Sequence, residues 1–292
     1  MKKILITGGS GFIGSHLSEF LLSKNYKPVI FDAIKPRENG IDFLTGDITQ
    51  RDSLKNILDI GGIVHLCAIS RVRDAIDNPV RCVDVNLMGT INALEFARTS
   101  EKRPWILLGS TTEPPKNIYG VSKYLAELCA ETYSREYGLT VLALKFGTVY
   151  GSLKDNKDRL IPRWIESAKS GKEIRVDNSA RQFDFIYIDD VIKGIFAGIN
   201  YMNSKKHFEA IPICTGVPTN LGKLSKMIVE ETQSSSKIIS KDARQEYFIQ
   251  PDHEKAKRLL EFEAKTSMRE GIRKLLSIQE SSKMMELKLD YV

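Results

Sequence analysis

Thr7-Gly8-Gly9-Ser10-Gly11-Phe12-Ile13-Gly14 follows the apolar run Lys3-Ile4-Leu5-Ile6 and leads into an amphipathic stretch over residues 11–24. A strand, a glycine turn and a helix in that order open a nucleotide-binding βαβ unit. One glycine makes the tight turn, a second lets the backbone approach a pyrophosphate, and the third lets the helix pack against the strand. The stretch holds G-x-G-x-x-G through Gly9, Gly11 and Gly14, and also an even spacing through Gly8, Gly11 and Gly14. Phe12 and Ile13 would bring the first helical amides to a bound anion. Asp32 closes a second apolar run about 20 residues on, where a carboxylate grips the adenosine ribose hydroxyls and repels a 2′-phosphate. That arrangement favours NAD, with Lys35 and Arg37 leaving NADP as the lesser alternative. Asp47-Ile48, after a third run, is either an adenine contact or a turn cap.

Outward from this turn, apolar runs at 3–7, 28–32, 42–45, 62–66, 105–109 and 140–146 alternate with amphipathic stretches at 11–24, 74–99 and 118–137. Strands alternating with helices predict a parallel sheet covered on both faces. After Tyr150-Gly151 the segments become shorter and mixed: 159–170, 173–176, 183–188, 189–201, 211–215, 221–232 and 252–261. The expected architecture is α/β: a Rossmann-type doubly wound domain over 1–150 and a smaller mixed α/β substrate lobe over 151–280 on its C-terminal side. Part of 183–202 returns to the first domain, and 281–292 forms a frayed polar tail.

The chain has 292 residues, 42% of them hydrophobic and 27% charged, enough for a sizeable core. No apolar run approaches the roughly 18 residues of a membrane span. The basic start Met1-Lys2-Lys3 passes too quickly into the glycine turn for a signal peptide, so a cytoplasmic protein is expected. Cys67, Cys82, Cys129 and Cys214 show no CxxC spacing, and with few histidines near them neither a metal site nor a disulfide framework is expected. The net charge of +6 suits an anionic ligand or an evenly solvated surface. No basic block interleaved with aromatics suggests nucleic-acid binding.

Tyr119-Gly120-Val121-Ser122-Lys123 opens a long helical pattern. Residues four apart share a helix face, so phenol and ammonium point at one spot. A tyrosine with an ordinary pKa of about 10 is a poor base at neutral pH, and a neighbouring cation makes it a better one.

Together with His65-Leu66-Cys67-Ala68, Asn86, Gly89-Thr90, Ser110-Thr111-Thr112-Glu113, Lys145-Phe146-Gly147-Thr148-Val149-Tyr150-Gly151 and Arg181-Gln182-Phe183-Asp184-Phe185-Ile186-Tyr187-Ile188-Asp189-Asp190-Val191, these motifs resemble the NAD-dependent epimerase/dehydratase family of extended short-chain dehydrogenases/reductases. The resemblance runs from residue 1 to about 278. It implies NAD held by Gly8, Gly11, Phe12, Ile13 and Gly14, by Asp32, Asp47 and Ile48, and by Leu66, Ala68, Asn86 and Lys123. It also implies a nucleotide-diphosphate sugar whose 4-hydroxyl gives its proton to Tyr119, with Thr111 on the reacting oxygen. Thr112 and Thr148 would be further substrate contacts, and Arg181 would meet the diphosphate. A homodimer pairing helices 74–99 and 118–137 is implied as well.

Family members usually carry a longer segment between the Ser/Thr motif and the tyrosine, whereas here Glu113-Pro114-Pro115-Lys116-Asn117-Ile118 joins them almost directly. Thr148 stands for a common asparagine and Ala75 for a common serine. The leading expectation is a nucleotide-sugar isomerase of carbohydrate metabolism, an epimerase at C4. A 4,6-dehydratase or decarboxylase using Glu113 as a general base is the near alternative, and a non-catalytic NAD-binding sensor or scaffold the remote one.

Overall fold

The structure, a computed structural model, describes residues 2–37, 40–202, 207–241 and 248–289, the last eight of these as backbone only. The elements of the first half are β1 (Lys3–Thr7), α1 (Phe12–Ser23), β2 (Lys27–Asp32), β3 (Asp42–Thr45), β4 (Gly62–His65), α2 (Val72–Asp77), α3 (Pro79–Val83), α4 (Gly89–Thr99), β5 (Trp105–Thr111), α5 (Ile118–Tyr137) and β6 (Val141–Phe146). They are followed by β7 (Thr148–Tyr150), α6 (Leu160–Lys169), β8 (Ile174–Val176), β9 (Gln182–Phe183), β10 (Phe185–Tyr187), α7 (Ile188–Met202), β11 (Phe208–Ile213), β12 (Thr219–Asn220), α8 (Leu221–Glu231), β13 (Ile238–Ser240), α9 (Glu254–Leu260) and α10 (Met268–Leu289).

The first unit comprises Met1–Phe146, Ile192–Ile213 and His253–Phe262. Its 7-stranded sheet runs β11-β6-β5-β4-β1-β2-β3, and every neighbouring pair is parallel. Successive side chains of a strand point to opposite faces. Leu5, Val29, Phe31, Ile63, Ile106, Leu108 and Val141 accordingly form one buried cluster with Leu94 and Ala97 of α4 and Ala130 of α5. Leu107, Leu142 and Leu144 face the other way, against Gly198 of α7, whose missing side chain lets that helix sit close. Phe196 of α7 meets Phe20 of α1 edge-on, so these two helices cover that second face. The strand order reverses between β1 and β4, and the loops leaving their C-terminal ends flank the crevice where doubly wound sheets bind ligands. The fold is of the Rossmann type.

The expected helix over 74–99 is instead broken into α2, α3, a π-helical turn at Asp84–Met88 and α4. Pro79 causes the first break: its ring displaces the preceding residue from helical conformation, and Asn78 has φ −136° and ψ 70°. Sequence patterning also placed residues 207–213 and 253–262 in the second lobe. They belong to the first unit, because β11 completes the parallel sheet beside β6 and α9 packs on β11.

The second unit comprises Gly147–Val191, Cys214–Asp252 and Glu263–Val292. It begins four residues before the expected boundary at 150, because β7 pairs with β10. The pairs β10/β7 and β13/β8 are parallel and β12/β9 is antiparallel, while α8 packs on both α6 and α10. The stretch 281–292, expected as a tail, continues α10 as helix to Leu289, and residues 290–292 lie outside the described residues.

Asp184 pins this unit. Its Oδ1 accepts from the Thr215 backbone N–H and hydroxyl, both at 2.8 Å, and its Oδ2 accepts from Gly216 N–H at 2.7 Å. Its own carbonyl accepts from Thr148 N–H at 2.7 Å. Removing a buried carboxylate strands these donors, so Asp184→Ala is expected to cost about 2–4 kcal/mol, read as a lower midpoint in urea unfolding.

Candidate active site

Gly8 has φ +71°, the left-handed region that glycine adopts without strain. A Cβ built there would lie 2.6 Å from Cys67 N, so only glycine lets the loop after β1 touch the loop after β4. Gly14 meets the same limit from the other side, since a Cβ on it would run into Gly8 O. The chain can therefore turn from β1 into α1 only over bare backbone. α1 begins after Gly11 with no side-chain cap and no acid in its first turn. Its first amides, those of Phe12 and Ile13 among them, are the donors and the positive dipole end that a pyrophosphate needs.

Asp32 closes β2 beside this loop. Its Oδ2 accepts from Ser10 N–H at 3.1 Å and its Oδ1 from Ile34 N–H at 3.0 Å. The charge of Asp32 also reaches Cys67, whose thiol is pushed up to about 12, chiefly by burial. Glycine loop, acid and the loop after β4 thus meet at one place, as a dinucleotide requires, and these residues fit one.

Tyr119 and Lys123 occupy the start of α5, a 20-residue helix whose N-cap Asn117 accepts from Gly120 N–H at 2.9 Å. The first turn puts Tyr119 at the positive end of the helix dipole, which favours a phenolate. Lys123 is 4% exposed. Burial holds its ammonium down to about 8, while Cys67, Cys82 and Glu127 pull the other way.

A line of buried polar groups joins the two halves of this site. The Thr90 hydroxyl donates to Asn86 O at 2.7 Å, so it must accept the proton on His65 Nε2 at 3.1 Å. His65 Nδ1 then accepts the Thr7 hydroxyl at 2.7 Å. Asn86 Nδ2 donates to the Ser122 hydroxyl at 2.9 Å, and that hydroxyl donates to Tyr119 O at 2.8 Å. The end of β1 is thereby tied through β4 and the π-helical turn to the first turn of α5. His65 and Ser122 received no role in the sequence reading. Polar residues on faces that period-2 and period-3.6 patterning sends inward were the available signal.

Residues 4–214 match the NAD dependent epimerase/dehydratase family. The chain belongs to that family. A putative UDP-glucose 4-epimerase of Methanocaldococcus jannaschii is 30% identical over 302 residues, which cover 94% of this chain and 97% of that protein. A UDP-glucuronate 4-epimerase of Thermodesulfobacterium geofontis is 28% identical, covering 95% and 96%. Among solved structures, the UDP-glucose 4-epimerase of Thermotoga maritima with UDP-glucose shares the fold at a TM-score of 0.85 and 24% identity, covering 96% of this chain and 99% of that one. The protein is an NAD-dependent enzyme.

In this family member the remaining expected site residues fall into four groups. Asn86 is fully buried, its Oδ1 accepting from Ile69 N–H at 2.8 Å and its Nδ2 donating to Ile69 O at 3.1 Å. It therefore acts on the loop after β4, which holds Leu66 and Ala68, rather than from the surface. The Asp47 carboxylate accepts from Thr49 N–H at 2.9 Å and pairs with Arg81 at 3.2 Å. The Thr49 amide, against the cost of burial, holds that carboxyl below the usual range. Ile48 is buried in the core.

The short connection from Thr111 to Tyr119 is pinned at its start. Thr111 Oγ1 accepts from Glu113 N–H at 3.1 Å, and Thr112 N–H donates to Phe146 O at 3.0 Å. In the second unit, Thr148 lies on β7 and the Arg181 guanidinium sits 4.8 Å from the Phe183 ring centroid.

Burial drives the His65 imidazole down to about 3, with the Lys123 charge adding to it. The unfolded chain, with an ordinary histidine near 6.5, binds the proton more readily, so this contribution is intact above about pH 6.5 and is lost as pH falls toward 3. Wild type is expected to lose about 2 kcal/mol more stability than His65→Gln between pH 7 and 5, measured by urea unfolding at each pH.

Proposed function

We propose that this enzyme is a UDP-sugar 4-epimerase that inverts C4 through a transient 4-keto sugar. The observation that carries the reading is the buried Lys123 beneath the first turn of α5, in electrostatic reach of Cys67, whose backbone meets Gly8. One cation serves both the tyrosine of its own helix and the loop against which a dinucleotide would lie.

In this reading the Gly8–Gly14 loop takes the pyrophosphate and Asp32 the adenosine ribose. Asp47 and Ile48 stand beside the adenine, and Leu66 and Ala68 line the crevice that Asn86 shapes. Bound NAD supplies the hydride acceptor, and afterwards the hydride donor, for sugar C4. Tyr119, as phenolate, takes the proton of the C4 hydroxyl and later returns it to the same oxygen. Lys123 holds the nicotinamide ribose and favours the phenolate by its charge. Thr111 accepts from Glu113 N–H, and its own proton is assigned to O4. The family resemblance assigns Arg181 to the diphosphate, and Thr148 and Thr112 to further substrate contacts. The relatives named for UDP-glucose and UDP-glucuronate support both as substrates to test.

The reading extends to a homodimer. Val121, Tyr124, Leu125 and Leu128 stand exposed along one stripe of α5, with Ile76 of α2 and Val80 of α3 exposed near its start. A second copy pairing through these helices would cover that apolar surface. Leu94 of α4 faces the core. The four cysteines are free thiols, which suits a reducing, cytoplasmic setting, and no helix among the described residues is long and apolar enough to cross a membrane.

Incubation with UDP-glucose or UDP-glucuronate is expected to give an isobaric C4 epimer by mass spectrometry and chromatography. Loss of water or carbon dioxide, abolished by Glu113→Gln, would establish the dehydratase or decarboxylase chemistry instead. Tyr119→Phe should lower kcat by at least about a hundredfold. Light scattering should give twice the chain mass of 32.9 kDa, and Leu128→Glu should halve it.

A further inference from the structure

Glu127 lies one turn beyond Lys123 and two beyond Tyr119, so the three share a face of α5. Its Oε2 accepts from the Ser110 hydroxyl at 3.1 Å and its Oε1 from Lys145 Nζ at 3.2 Å. Ser110 and Lys145 are direct neighbours across the β5/β6 pairing, and Thr111 follows with Phe146 as its own partner. A single carboxylate thus spans two strand ends, and the next residue on β5 is Thr111, assigned above to the reacting oxygen.

We propose that Glu127 is a positioning residue for this reaction, fastening the strand end that carries Thr111 to the helix face that carries Tyr119 and Lys123. The proposal rests on the catalytic reading of Tyr119 and Lys123 given above. Two features of this chain give Glu127 that importance. The connection from Thr111 to Tyr119 is short, so any slip of β5 against α5 moves the hydroxyl directly against the phenol. The groups whose charge bears on Lys123 are Cys67 after β4, Cys82 of α3, Glu127 of its own helix and, as a partner it disfavours, His65 of β4. Glu127 is the one carboxylate of that set, and its charge favours the ammonium form of Lys123.

Glu127→Gln keeps the shape and an acceptor for Ser110 while removing the charge. In the full-length enzyme it is expected to lower kcat about fivefold at pH 8, leave KM for the sugar within about twofold, and move the alkaline limb of kcat to lower pH. Glu127→Asp should restore the limb. A Glu127→Gln enzyme with a lower melting temperature and an unaltered kcat–pH profile would overturn the proposal, because a merely structural carboxylate predicts that outcome. Should Glu127→Gln not fold, Ser110→Ala removes one anchor and leaves the charge. A lower kcat with an unmoved limb then supports the proposal, and an unchanged kcat overturns it. Tyr119→Phe measured alongside separates the two claims. If that variant is inactive while Glu127→Gln matches wild type, the positioning role alone fails, and if it is active the catalytic reading fails with it.

Discussion

The contact of Gly8 with the Cys67 backbone is the constraint on which the site depends. It brings the ends of β1 and β4 together at the point where the strand order reverses, and no residue with a side chain could stand there. Behind the contact, Thr7, His65, Thr90, Asn86 and Ser122 hydrogen-bond in a buried line that ends on the carbonyl of Tyr119. Unsatisfied polar groups in a packed interior are costly, so the line is held as a unit, and a shift of one member would orphan its neighbours. The glycine loop after β1 and the helix that carries the phenol are joined by this buried line.

Electrostatics follow from that packing. Burial makes a charged Lys123 expensive, and the same burial keeps His65 neutral and the Cys67 thiol protonated. A lysine with an ordinary pKa on an exposed helix would be screened by water and do little for a tyrosine one turn away. In this interior its charge is felt at short range, and the positive end of α5 adds to it. The bridge from Glu127 to Ser110 and Lys145 gives the buried ammonium a compensating carboxylate without placing an acid next to the phenol.

The short connection between Thr111 and Tyr119 is anchored at both ends. Thr112 is bonded to the end of β6, Asn117 caps α5, and Pro114 O lies so near Gly120 that a Cβ there would be 2.9 Å from it. The prolines need few partners of their own, and both ends are anchored by backbone.

The glycine turn, Asp32, the Tyr119–Lys123 spacing and the alternation of strands with helices were all readable before any coordinates, because each is a local pattern: a turn that needs bare backbone, a period of two or of 3.6, two side chains one helical turn apart. Family, fold type and cofactor followed from those patterns. The break at Pro79 was also written locally, though the amphipathic run around it hid it. Other features lay beyond local reading. That β11 belongs beside β6, that Asn86 turns inward to Ile69 and Ser122, that Leu94 faces the core, and that Glu127 closes onto two strands all depend on which surfaces meet after folding. Local sequence determines which way a side chain leaves its own helix or strand. What it then touches is decided by residues dozens of positions away, and only the packed tertiary structure brings those together.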